Sequence, residues 1–63
     1  MKYYFKHRWL DRHEGRSIDF RTKRDAKRAF HTWQNIALIR GLTLYAVASS
    51  GREETLATWG DQK

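Results

Sequence analysis

The stretch from Thr22 to Ala37 reads TKRDAKRAFHTWQNIA and has the periodicity of an amphipathic helix. At about 100° per residue its apolar side chains fall on roughly a third of the circumference, as expected for a helix that packs against a core. These side chains are Ala26, Ala29, Phe30, Trp33, Ile36 and Ala37. Thr22 followed by Asp25 is close to the capping-box pattern and places the helix start. We therefore predict one core-facing helix from Thr22 to about Ala37.

The end of this helix is less clearly marked. Leu38 and Ile39 fit neither its apolar nor its polar face, and Gly41 follows them. A glycine just past the last turn often takes the left-handed conformation that ends a helix, and Gly41 is expected in that role. Leu38 and Ile39 then either mark the helix end or form an exposed apolar patch. The sequence leaves both alternatives open.

Upstream of the helix, the chain has the patterns of two strands. Lys2 to Leu10 alternates with a period of two. One side carries Tyr3, Phe5, His7 and Trp9, which we assign to the core, and the other carries Lys2, Tyr4, Lys6, Arg8 and Leu10. A polar turn leads to a second short strand, Arg16 to Phe20, with Ile18 and Phe20 directed inward. These two strands are expected to form a hairpin.

Two more strands are predicted downstream, from Leu42 to Ser49 and from Thr55 to Trp59, with a turn at 49–52 between them. The order strand, strand, helix, strand, strand predicts an α+β fold of ββαββ type. In such a fold, one helix packs across one face of an antiparallel sheet. The three tryptophans, Trp9, Trp33 and Trp59, are assigned to the core, and Trp59 is the one expected to be partly exposed.

The chain length and composition allow one small domain. With 63 residues and no cysteine, residues 1–63 are predicted to form a single unit, with 60–63 a loose tail. Disulfides and thiolate zinc sites are excluded, so stability depends on aromatic packing or on self-association, and a weak homodimer is one expectation. No apolar run approaches the roughly 18 residues of a membrane span, and the first residues lack a signal-peptide pattern. We expect no membrane partner and a cytoplasmic location.

Positive charge is concentrated in one half of the chain. The formal net charge is +6. Residues 1–31 contain ten basic and four acidic side chains, whereas residues 32–63 contain three of each. The whole excess therefore lies in the first half, which indicates an anionic partner.

The first candidate surface is the start of the helix. Lys23, Arg24, Lys27 and Arg28 occupy its first two turns, with His31 one turn further. Cations at a helix N-terminus oppose the macrodipole, which favours anions there. A local rule broken without structural gain suggests a binding role. The alternative is a solvated face that is charged for solubility.

The second candidate surface is the predicted open face of the sheet. There Tyr4 lies among Lys2, Lys6 and Arg8, with Tyr45 nearby. Aromatic rings interleaved with cations suit single-stranded nucleic acids, whose bases stack and whose phosphates pair with cations. The alternative is that the tyrosines serve β propensity and cross-strand packing.

A catalytic or metal role is the least supported by the sequence. His7, Asp11, His13 and Glu14 lie close together along the chain and could form an acid–base pair or metal site. No established motif spacing links them, and a polar segment ending in glycine is typical of a turn. We expect no catalysis, no metal and no cofactor.

Three features together resemble the small basic proteins encoded by bacteriophages and other mobile elements. They are the basic, aromatic first strand, the helix start TKRDA at Thr22 to Ala26, and the return strand GLTLY at Gly41 to Tyr45. The resemblance spans most of the chain, but it matches no family motif residue by residue. It implies a compact charged surface that binds and inhibits or redirects a host enzyme of the transcription, nuclease or defence machinery.

The predicted function is non-catalytic binding of DNA or RNA through a basic helix and sheet surface. The predicted site comprises Tyr4, Lys6, Arg8, Arg21, Lys23, Arg24, Lys27, Arg28 and His31. The alternative is a phage-type inhibitor or adaptor that binds an acidic surface of a host protein. In that case Leu38 and Ile39 would act as apolar anchors beside the cations.

Overall fold

The computed structural model describes residues 1–60 as four strands and one helix. The elements are β1 (Lys2–Trp9), β2 (Glu14–Arg16), α1 (Lys23–Trp33), β3 (Ile39–Val47) and β4 (Glu53–Gly60). All strand pairs are antiparallel, and the sheet has the order β2-β1-β3-β4 with α1 packed on one face. The predicted α+β class with ββαββ order is confirmed. The predicted tail at 61–63 lies outside the described residues, whereas Gly60 belongs to β4.

The start of α1 lies where the sequence places it, but its end does not. Thr22 is the N-cap in an extended conformation, and its hydroxyl accepts a hydrogen bond from the Asp25 N–H at 3.2 Å. The helix ends at Trp33, four residues before the predicted end. Beyond it, Asn35 and Ile36 donate backbone hydrogen bonds of 3.2 and 3.1 Å to carbonyls three residues earlier. These tighter turns end the helix without a glycine.

The segment after α1 corrects two expectations. Ile39 is the first residue of β3, pairs with Trp9 and is 3% exposed, so it is a core residue and no apolar anchor. Gly41 lies within β3 without left-handed backbone, so it does not end the helix. Ala37, predicted on the apolar face of the helix, is exposed beyond its end. The pairing of β3 with the full length of β1 draws this segment into the sheet.

The core lies between α1 and the central strands β1 and β3. Phe5, Leu42 and Leu44 are its largest fully buried side chains. The Phe5 ring packs against Phe20, Phe30 and Trp33 with centroid separations of 6.2, 6.1 and 5.2 Å. Aromatic and aliphatic side chains together form this core, and the chain has no cysteine to add disulfides.

His7 belongs to the same aromatic cluster. Its ring stacks on Trp33 with a centroid separation of 4.8 Å, and its Nδ1 accepts a hydrogen bond of 2.8 Å from the Trp9 indole N–H. Gly15 lies opposite His7 in the pairing of β1 with β2. A Cβ at residue 15 would lie 2.5 Å from Cε1 of His7. The glycine therefore leaves the space that this imidazole occupies.

The second strand differs most from its prediction. It spans Glu14–Arg16 rather than Arg16 to Phe20, and Ile18 is 76% exposed instead of directed inward. The Ser17 hydroxyl accepts a hydrogen bond from the Phe5 N–H at 3.0 Å and donates one to the Ile18 carbonyl at 2.9 Å. Ser17 also donates a backbone hydrogen bond of 2.8 Å to the Phe5 carbonyl, but its hydroxyl rather than a carbonyl accepts the Phe5 N–H, so the regular ladder stops after Arg16. Phe20 then forms an isolated bridge with β1 through two backbone hydrogen bonds with Tyr3.

The helix α1 has 11 residues, four of them lysine or arginine. A membrane crossing needs about 20 mostly apolar residues. The part of the chain that the structure describes therefore contains no membrane-spanning helix.

Candidate functional site

The structure divides the predicted site between two opposite faces of the molecule. Successive strand residues point to opposite sides of a sheet, and Phe5 of β1 faces α1. Lys6 and Arg8 therefore lie on the face turned away from α1. Because the basic residues of α1 lie across the core from that face, the two predicted groups of cations form no single surface.

Tyr4 does not present its ring as a stacking platform. It is 3% exposed and stacks on Tyr45 with ring centroids 5.2 Å apart. The Arg16 guanidinium covers the ring at 3.9 Å, and the Tyr4 hydroxyl donates a hydrogen bond to Glu53. Burial, and then the hydrogen bond to Glu53 and its negative charge, raise the pKa of Tyr4 to about 12. The expectation that Tyr4 stacks on a base is wrong, since its faces are already occupied.

The other cations of the open face take part in the same structure. The Lys6 ammonium lies 5.3 Å from the centre of the Tyr45 ring. Arg16 also forms an ion pair of 2.6 Å with Asp19. Arg8 is half-buried and lies opposite Glu14 of β2. Cations and tyrosines thus cover the second face of the sheet with amphipathic side chains, which is a structural role.

The outer face of α1 presents its cations differently. Lys23, Arg24, Lys27, Arg28 and His31 are all exposed. At about 100° per residue they fill an arc of about 140°, next to the arc that packs on the core. Within residues 1–60 the four lysine and arginine side chains form no ion pair. We call these five residues the helix cation arc.

Two neighbours complete this surface. Arg21 is exposed immediately before the N-cap and adds a sixth basic side chain near the helix start. Asp25 is the only acidic residue of α1, and its position lies outside the helix cation arc at 100° per residue. Asp25 is three residues before Arg28 and offsets part of the charge, but one carboxylate stands against four lysine and arginine side chains of the helix.

The arrangement of the arc is unfavourable for the helix itself. Lys23 with Lys27, and Arg24 with Arg28, form two like-charge pairs at a spacing of four residues. Each such pair destabilises a helix by about 0.2–0.5 kcal/mol, and cations in the first turns also oppose the macrodipole. The sequence signal for a binding role, four cations at the start of a helix, thus corresponds to a surface whose charge does not stabilise the fold.

Two of the candidate catalytic residues, Asp11 and His13, lie in the exposed segment between β1 and β2. His13 Nδ1 lies 3.1 Å from an Asp11 carboxylate oxygen, and both side chains are more than half exposed. The His13 backbone N–H donates a 3.0 Å hydrogen bond to the Asp11 carboxylate, and this bond is the main reason that the pKa of Asp11 is lowered. His7 is held apart by its tryptophan neighbours, and residues 1–60 bring together no group of three metal-ligating side chains.

An apolar depression lies at the end of the sheet where β1 finishes. It is lined by Trp9, Leu10 and Leu38, with Asp11 and His13 at its rim. Leu10 and Leu38 are 53% and 55% exposed, and the Leu10 N–H donates a 2.8 Å hydrogen bond to the Leu38 carbonyl. Of the two alternatives that the sequence left open for Leu38, the helix end and an exposed apolar patch, the structure supports the exposed apolar patch. Leu10 was not predicted as the neighbour of Leu38, because tertiary folding brings the two residues together.

These features define the chain as a small α+β domain with a cationic helix face. Comparison with protein-family models, with curated proteins and with solved structures finds no match to this chain.

Proposed function

We propose that this chain is a non-catalytic nucleic-acid-binding protein that contacts phosphates through the helix cation arc and Arg21. The observation that supports this proposal is the set of exposed lysine and arginine side chains on α1, which have no ion-pair partners within residues 1–60. A polyanion would convert their mutual repulsion into attraction and release condensed counterions from the nucleic acid.

The dimensions of the arc suit several phosphates at once. An α-helix rises about 1.5 Å per residue, so the arc from Lys23 to Arg28 extends about 7.5 Å along the axis. Duplex DNA carries one phosphate charge per about 1.7 Å of its axis, so about four phosphates lie within that length. Lysine and arginine that contact phosphates position a protein without reading bases. We therefore propose binding with little sequence preference.

The salt dependence of binding tests this function. If four phosphates of a duplex are neutralised, the logarithm of the association constant falls with the logarithm of salt concentration at a slope of about −3.6. Affinity for a labelled duplex, measured by fluorescence anisotropy, should then fall about 150-fold between 50 and 200 mM salt. A single strand should give a slope near −2.8. An affinity that does not change with salt would remove the proposal.

A second candidate function is supported by the apolar depression at Leu10 and Leu38. The depression combines exposed apolar side chains with the polar side chains of Asp11 and His13, a mixture that is typical of protein interfaces. Binding to an acidic surface of a host protein, as the resemblance to phage-encoded proteins implies, would use both features. A complex recovered from bacterial lysate that persists after nuclease treatment would favour this function over nucleic-acid binding. It should then be weakened by Leu38→Ser, a change that nucleic-acid binding would tolerate.

A further inference from the structure

The two edges of the sheet differ in charge. The excess positive charge belongs to residues 1–31, which contain β1, β2 and α1. The strand order places β4, from the neutral half of the chain, at the opposite edge from β2. The part of β4 from Thr55 to Gly60 has no charged side chain. A second copy of this cationic chain therefore meets the least repulsion at the β4 edge.

The hydrogen bonds of the sheet show which peptide groups this edge exposes. Tyr3 exchanges backbone bonds of 2.9 and 2.6 Å with Phe20, and the Phe5 carbonyl accepts a 2.8 Å bond from Ser17. Both residues of β1 thus bond away from β3. Alternate residues of an antiparallel strand form their backbone hydrogen bonds with opposite neighbouring strands. The backbone groups of Tyr4 and Lys6 therefore bond toward β3.

The same alternation extends to the edge strand. Lys6 is paired with Thr43 and bonds to it, so the backbone of Thr43 is directed to β1 and not to β4. Thr58 is the residue of β4 paired with Thr43. The N–H and C=O groups of Thr58 consequently point out of the sheet, where they are available to another strand.

Two irregularities limit where such a strand can pair. The register of β4 shifts at Leu56, and Gly60 has a positive φ of 81°. Regular backbone between these points is confined to Ala57, Thr58 and Trp59. Pairing centred on the other half of β4 would bring Glu53 and Glu54 of two copies together, which like charges oppose.

We propose that two copies of the chain form a weak homodimer by antiparallel pairing of β4, with Thr58 opposite Thr58 of the second copy. In this register Trp59 lies beside Ala57 of the second copy on the side of the sheet that faces α1. Within residues 1–60, α1 lies over β1 and β3 but not over β4. The half-buried side chains on that side of β4 therefore gain cover from the second copy.

Pairing of β4 with β4 of the second copy ends the assembly at two chains and places both helices on one side of the joined sheet. The twofold axis of an antiparallel strand pair is perpendicular to the sheet, so both copies of α1 lie on the same side. The other edge, β2, has only three residues and lies in the cationic half, so it does not extend the assembly further. The inference goes beyond the proposed function, and it is tested without nucleic acid.

Sedimentation equilibrium from micromolar to near-millimolar protein tests the dimer. The mass of the wild-type chain should rise with concentration from 7.6 kDa toward twice that value. Thr58→Glu and Thr58→Lys should each weaken the dimer by at least about tenfold, because each places two like charges in direct opposition. An equimolar mixture of the two variants should restore the dimer as a heterodimer. Ser50→Glu, in the exposed turn before β4, is the matched control and should dimerise like the wild type.

A second variant covers the case in which a charge at residue 58 impairs folding. The chain has no cysteine, so Thr58→Cys introduces a single thiol. A short bifunctional thiol cross-linker should give a covalent dimer of this variant, because the Cα atoms of two directly opposed residues in a hydrogen-bonded pair lie only about 5.5 Å apart, whereas Ser50→Cys should cross-link far more slowly. A mass that stays at 7.6 kDa throughout would overturn the proposal. So would a dimer that neither charged variant weakens, or a mixture that fails to restore association.

Discussion

Charge reversal in the helix cation arc should separate binding from stability. Lys27→Glu combined with Arg28→Glu changes both like-charge pairs, Lys23 with residue 27 and Arg24 with residue 28, into opposite-charge pairs. Each pair turns from repulsive by about 0.2–0.5 kcal/mol to attractive by a similar or smaller amount. Two pairs at a spacing of three residues also change, Arg24 with residue 27 to attractive and Asp25 with residue 28 to repulsive, and these two changes cancel. The free energy of unfolding should therefore rise by about 1 kcal/mol in total. For a domain of this size that corresponds to an increase in Tm of about 4–8 °C.

The same double substitution should strongly weaken nucleic-acid binding. Loss of two phosphate contacts out of four changes the salt slope from about −3.6 to about −1.8. At 0.1 M salt this lowers the association constant about 60-fold, before any repulsion between the new carboxylates and phosphates is added. The expected combination, a more stable protein that binds less, indicates a surface whose charges serve a partner.

The assay pairs thermal unfolding followed by circular dichroism with anisotropy titrations of a labelled duplex. The matched control is Lys2→Glu with Lys6→Glu, which lowers the formal net charge of +6 by the same four units on the opposite face of the sheet. An equal loss of binding in both variants would mean that total charge, rather than the helix cation arc, drives binding. A fall in the Tm of the helix variant would show instead that Lys27 and Arg28 stabilise the fold and that their positive charges have a structural role.

Two further predictions concern the structural roles of residues near the predicted site. Because the pKa of Tyr4 is raised from 10.0 to about 12, the native state favours the protonated phenol. The contribution of this protonation preference to the free energy of unfolding is complete below pH 10 and is lost as the pH rises to 12. Urea unfolding should therefore show a steeper loss of stability between pH 10 and pH 12 in the wild type than in Tyr4→Phe. Gly15→Ala should cost about 1–3 kcal/mol, because the new Cβ displaces the His7 ring from Trp33. Equal unfolding midpoints in urea for Gly15→Ala and the wild type would contradict this account.

Local sequence patterns predicted the elements but not all of their boundaries. Thr22 is the N-cap because its side-chain oxygen and the free N–H of Asp25 are only three residues apart, a relation that any local analysis detects. The helix end was predicted too late because Ile36 continues the apolar period and also packs on the core from outside the helix. The apolar character of Ile36 therefore did not indicate which of these two structures it adopts.

The candidate site was predicted unevenly for a similar reason. The positions of Lys23 to Arg28 on one face of a helix follow from spacing alone, and the structure places these side chains there. Tyr4 lay on the predicted side of β1, but its burial arises from Tyr45, Arg16 and Glu53, which belong to three other strands. Contacts between residues so distant in sequence leave no periodic signal in the chain.

The sequence alone determined the class of fold, because the alternation of β1, the helical period after Thr22 and the glycine-containing turn at Gly51 are local properties of the chain. It also determined that the excess positive charge lies in residues 1–31. Only the tertiary structure decided how this charge is divided. Antiparallel pairing sets Lys6 and Arg16 over tyrosines on one face, while packing of Phe30 against Phe5 directs the helix cation arc outward on the other. Strand order and register bring together residues far apart in the chain, and those contacts decide which charged side chains pack within the fold and which remain exposed to solvent.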